Sequence, residues 1–312
     1  MEYFIQILSR NTSAKISMLY AFALLATCLA APLRAEIRVV YPQQESGMTQ
    51  HTDYYFMLMQ SALEHTRAKY GDFTLSYSVY AMNRARAELE LSTENGRIDA
   101  SVFGWTAERG KKFYQVKVPL DRGLIGYRVL LIRKADQEKF STVRTLDDLK
   151  QFRFGLLEAW SDLTILQHNK LTVVPGNTFE GLFKMLDIGR FDAFSRDINE
   201  IQRELEQHSN ELPSLAIENT LLLRYPSARY FFVKKTPAGL KLGARIEAGL
   251  EMMKKDGSLD ALFIKYRSEE IGKFKLNERH IIDLVNPSSP PDADKLPKDL
   301  VPPVRPLRPR RH

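Results

Sequence analysis

Cysteine is almost missing from this 312-residue chain. The single one, Cys28, lies in an N-terminal segment set apart from the rest of the chain. Beyond that segment a disulfide framework, thiol redox chemistry and cysteine-based metal sites are excluded. Histidine is sparse as well. His51, His65, His168, His208, His280 and His312 are scattered with no ligand spacing, so no metal is expected. Nor does the chain contain a G-x-S-x-G elbow, a Walker loop or an H-E-x-x-H pair. The sequence therefore supplies no motif for catalysis and implies no cofactor. Asp99 and Asp192 read as strand-entry residues rather than as an acid/base pair.

What is present is ordinary globular material, 44% hydrophobic and 27% charged, long enough for two cores. The N-terminus belongs to neither. Arg10 and Lys15 precede an apolar run from Ile16 to Ala31, and Leu33-Arg34-Ala35 offers a small residue at a cut. Residues 1–35 thus read as a secretory signal peptide. The alternative is an uncleaved membrane anchor, for which the run is short against a span of about 20 residues. Leu25-Ala26-Thr27-Cys28 faintly resembles a lipidation box, with Thr27 a poor residue before the cysteine. The net charge of +7 is concentrated at the ends. Removing residues 1–35 takes away Arg10, Lys15, Arg34 and Glu2 and leaves +5, and the stretch from Asn286 carries a further +3. The body is near +2, so no nucleic-acid partner is expected. Eight of the fifteen prolines lie in 286–312, which ends in an Arg-Pro run. That segment reads as an extended, disordered tail able to touch an anionic surface.

One short motif occurs twice, as Gly96-Arg97-Ile98-Asp99-Ala100 and Gly189-Arg190-Phe191-Asp192-Ala193. Each copy comes after an amphipathic stretch and opens an apolar run that ends in polar residues, Thr106 and Arg109 in one case, Ser195 and Asp197 in the other. Two similar α/β lobes would leave this footprint, with polar groups at the carboxyl ends of strands, where open α/β sheets bind ligands. Strands are expected at 37–41, 74–80, 100–103, 127–133, 154–157, 172–174, 193–194 and 230–234, and helices at 53–70, 83–91, 178–186, 198–207 and 259–268. Pro237 is placed for the first turn of another helix. The alternation argues for α/β architecture with largely parallel sheets.

Four segments carry a family resemblance. Arg97-Ile98-Asp99-Ala100 through Thr106-Ala107-Glu108-Arg109, Arg153-Phe154-Gly155-Leu156-Leu157, Gly189 to Asp197, and Lys254-Lys255-Asp256-Gly257-Ser258 through Lys265-Tyr266 resemble, in order and spacing, type 2 periplasmic solute-binding proteins of the amino-acid-binding kind (extracellular solute-binding family 3). The runs Arg122 to Tyr127 and Leu222 to Pro226 set the chain apart from that family's well-understood receptors. The resemblance covers about 36–284. It implies a two-lobed fold with a ligand cleft, in which 36–121 and 226–285 form lobe 1, 122–225 form lobe 2, and the hinge carries Gly123, Gly126 and Tyr225-Pro226. It also implies a periplasmic monomer whose partners are a small solute and an inner-membrane ABC permease or sensor.

Carried over residue by residue, the resemblance gives Arg109 the ligand carboxylate, which suits a planar guanidinium fork, although the same residue could instead form a surface salt bridge with Glu108 or Asp121. Thr106 would add a hydroxyl, and Asp197 would face an ammonium, although the same residue could cap the helix after it. The family's Gly-Thr-Thr/Ser loop is replaced by Ala159-Trp160-Ser161-Asp162. Ser161 keeps a hydroxyl and can cap a helix, Trp160 offers a stacking face, and Asp162 brings a charge opposed to a bound anion. Trp105 reads as core. The expected function is capture of a small polar, carboxylate-bearing solute by lobe closure for a transporter. The alternatives are a dehydratase-like enzyme on the same fold, with a base such as Glu158 in the cleft, and a ligand-presenting partner of a membrane sensor.

Overall fold

The computed structural model describes residues 36–44, 49–158 and 160–297. The expected leader, its cleavage point, Cys28 and residues 298–312 of the expected tail lie outside the described residues.

Two α/β lobes share the chain. Lobe 1 holds β1 (Ile37–Gln44), β2 (Phe73–Met82), β3 (Ala100–Gly104), β4 (Tyr114–Gln115) and β11 (Arg229–Val233). Lobe 2 holds β5 (Tyr127–Arg133), β6 (Arg153–Leu157), β7 (Thr172–Gly176), β8 (Ala193–Asp197), β9 (Leu215–Ile217), β10 (Leu221–Arg224) and β12 (His280–Asp283). The lobe 2 sheet runs β12-β10-β5-β8-β6-β7, with β9 also alongside β5. The α/β, two-lobed fold class implied by the resemblance is the fold found.

The repeated motif does the same physical job in each lobe. Asp99 donates its N–H to the Val40 carbonyl (2.9 Å) and accepts the Val40 N–H on Oδ2 (2.8 Å). Asp192 does this to Arg153, with 2.8 and 2.9 Å. The aspartate thus clamps the backbone of the neighbouring strand just before its own strand begins. The apolar residue before it, Ile98 or Phe191, is buried. The arginines on the Asp192 carboxylate outweigh its partial burial and hold its pKa below the usual range.

Helix entries obey local chemistry. Thr178 caps the helix Phe179–Asp187 by accepting the Gly181 N–H, and Leu182, Phe183 and Leu186 form its buried stripe. Thr236 caps Pro237–Asp256 in the same way, and Gly257 ends that helix at φ 86°, a left-handed conformation glycine adopts freely. Ser161 departs from expectation. It is the first residue of the helix Ser161–His168, Trp160 sits at the cap position, and no side chain caps it.

The sheets are less parallel than the alternation implied. β3 and β4 run antiparallel to β11, and β8, β9 and β10 run antiparallel to β5. The reason is the path between lobes. β5 and β11 each begin immediately after a crossing, so each enters its sheet from the cleft side. The starts of these two strands therefore lie beside the ends of β8 and β3: Arg128 is opposite Asp197, and Arg229 is opposite Gly104.

The two crossings lie against each other. Leu120 N–H donates to the Arg229 carbonyl and Tyr225 N–H to the Gly126 carbonyl, both at 3.0 Å. Gly123 has φ +79°, and a Cβ on Gly126 would stand 2.1 Å from the Tyr225 carbonyl oxygen. These are the positions where glycine is required, one by conformation and one by close approach.

The end of the chain differs from the expected division. β12 pairs in parallel with β10, so 280–283 belong to the lobe 2 sheet although they were expected in lobe 1. From there the chain returns. Val285 exchanges two hydrogen bonds with the Asn169 side chain in lobe 2 (2.8 and 2.9 Å). Asn286 donates to the Pro226 carbonyl at the crossing, and Asp292 accepts from the Tyr230 hydroxyl in lobe 1. Leu296 packs on the small apolar cluster of lobe 1. Residues 286–297 thus form a packed strap rather than an extended tail; their prolines bar a ladder but not side-chain anchoring.

Candidate functional site

The lobes enclose a cleft of about 810 Å³. Thr106, Arg109, Trp160, Ser161 and Asp197 all line it, so the structure brings the expected site residues to one place. Their engagement differs from what the resemblance implied.

Thr106 accepts the Arg109 N–H and caps the helix Ala107–Lys112. That turns the Arg109 side chain back along the wall. Its Nε and Nη2 donate to Glu88 Oε2 at 3.0 and 2.9 Å, and Nη1 donates to the Gly104 carbonyl at 3.0 Å. Glu88 thus holds the bidentate edge expected for a ligand. The Trp160 ring stacks on Phe194 with centroids 6.0 Å apart and planes nearly parallel, and the Arg196 guanidinium stands 4.7 Å from the Trp160 centroid. Arg196 is itself held by Glu200 and Glu204. Trp105, expected as core, packs on the lobe 1 cluster and also lines the cleft.

Asp197 is buried, 2% exposed, between two guanidiniums. Arg229 Nη2 donates to its Oδ2 at 3.3 Å from lobe 1, and Arg128 Nη1 is 3.8 Å away within lobe 2. Arg128 also pairs with Asp162 at 2.7 Å and donates to the Tyr225 hydroxyl, which in turn donates to Asp162. The Asp162 charge, which would oppose an anion if bare, is thereby covered. Arg229 donates to the Tyr55 hydroxyl at 3.0 Å and lies 3.9 Å from Asp121. Burial works against the charge on Arg128 and Arg229, but their carboxylate and phenol neighbours outweigh it, and both pKa values move up. Burial likewise pushes Tyr225 and Tyr55 up, so both phenols stay neutral. It raises Asp121 despite Arg229.

Arg84, Arg128 and Arg229 were not anticipated. Arg84 is the first residue of the helix Arg84–Ser92, entered through the Asn83 cap, and it lines the cleft. The other two stand at strand beginnings. Polar residues at strand ends do not include them, but an arginine within four residues of a hinge glycine or tyrosine, as Arg128 after Gly126 and Arg229 after Tyr225, is a signal the sequence does carry. Among the described residues, no group of three or more His, Cys, Asp or Glu side chains is placed to hold a metal ion.

No known protein family profile matches the chain, and no curated protein matches it. Solved structures do. An ancestral arginine-binding protein bound to arginine is 19% identical, covering 75% of this chain and 99% of that one, with a TM-score of 0.48. A Bacillus subtilis protein is 20% identical, covering 74% and 91%, also at 0.48. A Streptococcus pneumoniae amino-acid ABC transporter substrate-binding protein bound to L-arginine is 18% identical, covering 76% and 95%, at 0.45.

Proposed function

We propose that the chain is a solute-binding protein that takes a small polar, carboxylate-bearing solute between its lobes and delivers it to a membrane transporter from the periplasm. The observation that carries this reading is Arg84. It is a guanidinium on the lobe 1 wall with no ion pair or hydrogen bond among the described residues; burial works against its charge, and Arg229 and Arg109 oppose it while Glu200 and Asp197 favour it only from longer range. A cation without a direct partner in a cleft favours an anion, and a guanidinium meets a carboxylate with two parallel N–H groups. Arg109 supports the same pole, with Glu88 orienting it. Thr106 and Ser161 offer hydroxyls from opposite lobes. Affinity near micromolar, about −8 kcal/mol, is expected for such a receptor. The test is calorimetry with a panel of small mono- and dicarboxylates, with and without an amino group. Binding of one or more, weakened about tenfold or more by Arg84→Ala, supports the reading. Failure of the whole panel refutes it.

A further inference from the structure

Ionised groups that line the cleft can be sorted by whether the protein already uses them. Arg109 is held by Glu88, Arg128 by Asp162, Arg196 by Glu200 and Glu204, and Arg229 by Asp197. Arg267 lies over the rings of Tyr54 and Tyr55. The sorting leaves Arg84 on lobe 1 and Glu158 on lobe 2, both exposed in the cleft and neither with a hydrogen bond or ion pair among the described residues. Glu200 and Asp197 act on Arg84 only through longer-range attraction. The two remaining groups are of opposite sign and sit on opposite lobes.

Resting on the reading above, we propose that Arg84 and Glu158 are the two poles of the ligand site, and that the solute carries its cationic group at the far end of a chain from its carboxylate. An ammonium next to the carboxylate has no receptor here. Asp197, the carboxylate best placed for it by resemblance, is flanked by Arg128 and Arg229, and those guanidiniums repel a third cation. A solute whose charges are separated can instead span the cleft. The volume of about 810 Å³ lies in the upper part of the about 300–1,000 Å³ usual for small-molecule sites.

Two sets of matched probes test this: α-aminobutyrate, γ-aminobutyrate and butyrate, and norleucine, ε-aminocaproate and caproate. In each set two members are isomers that differ only in where the ammonium sits, and the third lacks it. In at least one set the terminal amine should bind about tenfold or more tighter than both companions. Glu158→Gln should remove its advantage over the plain acid, and Arg84→Gln should weaken all three. Tightest binding by the α-amino isomers, or no loss of the advantage in Glu158→Gln, overturns the inference while leaving carboxylate capture intact. Silence from all six probes overturns the inference; silence from the wider carboxylate panel as well overturns the function reading beneath it.

Discussion

Arg229 is the cation on which the interior between the lobes depends, and Arg229→Met is the sharpest probe of that dependence. The substitution keeps the bulk of the side chain and removes its charge. Asp197 would lose its closest guanidinium contact and keep Arg128 at 3.8 Å, and Asp121, 1% exposed, would lose the guanidinium 3.9 Å from an oxygen that has no hydrogen bond. Breaking a buried pair by removing one partner costs about 3–5 kcal/mol, a large share of the about 5–15 kcal/mol by which domains are stable. The cost should depend on pH. Burial already raises the Asp121 pKa, and Arg229 works against that rise. A raised carboxyl contributes stability below its unfolded pKa of about 3.9, and the contribution is lost as pH climbs through the folded value. Without Arg229 the folded value rises further, so the loss should be larger at pH 7 than at pH 5. Asp121→Asn in the same chain should recover part of it, with a coupling of about 0.5–3 kcal/mol. Urea unfolding at both pH values, on the four members of the cycle, is the assay. A cost under about 1 kcal/mol, or one equal at both pH values, would refute the reasoning.

Gly126→Ala must push a Cβ into the Tyr225 carbonyl at 2.1 Å, so the crossings should separate; a loss of about 1–3 kcal/mol, as for overpacking, is expected by the same unfolding assay. His208 donates to Glu180 and stacks on Phe183. Burial opposes its charge, but the Glu204 carbonyl and Glu180 raise its pKa overall. That contribution to stability is complete below the unfolded value of about 6.5 and is lost as pH rises through the folded one; His208→Gln should flatten the slope, and an unchanged pH profile would count against it. Binding of the identified solute should shrink the radius of gyration in scattering, by less than for lobes without a strap, and Asn169→Ala should enlarge the change. Mass measurement of exported protein should give a chain beginning near Glu36.

Much of the fold was legible because it rests on periodicity. β5 is found at its expected bounds, and β1, β2, β6 and β8 extend their expected ranges by one to three residues. β9, β10 and β12 were not legible: each is only three or four residues long, within the noise of any local pattern, and owes its pairing to a neighbour far along the chain. The site divides along the same line. The motifs located the cleft, since they mark strand ends. Which charges remain open within it depends on ion pairs such as Arg109 with Glu88, 21 residues apart, and Arg229 with Asp197, 32 apart. Residue types alone do not choose among such partners.

The return of the chain through β12 and the strap bears on the order in which the protein can be built. β11 lies between β3 and β4, so the first lobe lacks its middle strand until Val233 has been made. The second lacks an edge until Asp283, and the strap closes over the crossing only after that. Elongation runs at about 5–20 residues per second from the N-terminus, so neither lobe can finish early while the other waits. A nascent chain of this kind stays without a completed core for most of its synthesis. That delay leaves the final folding step to be taken by both lobes together.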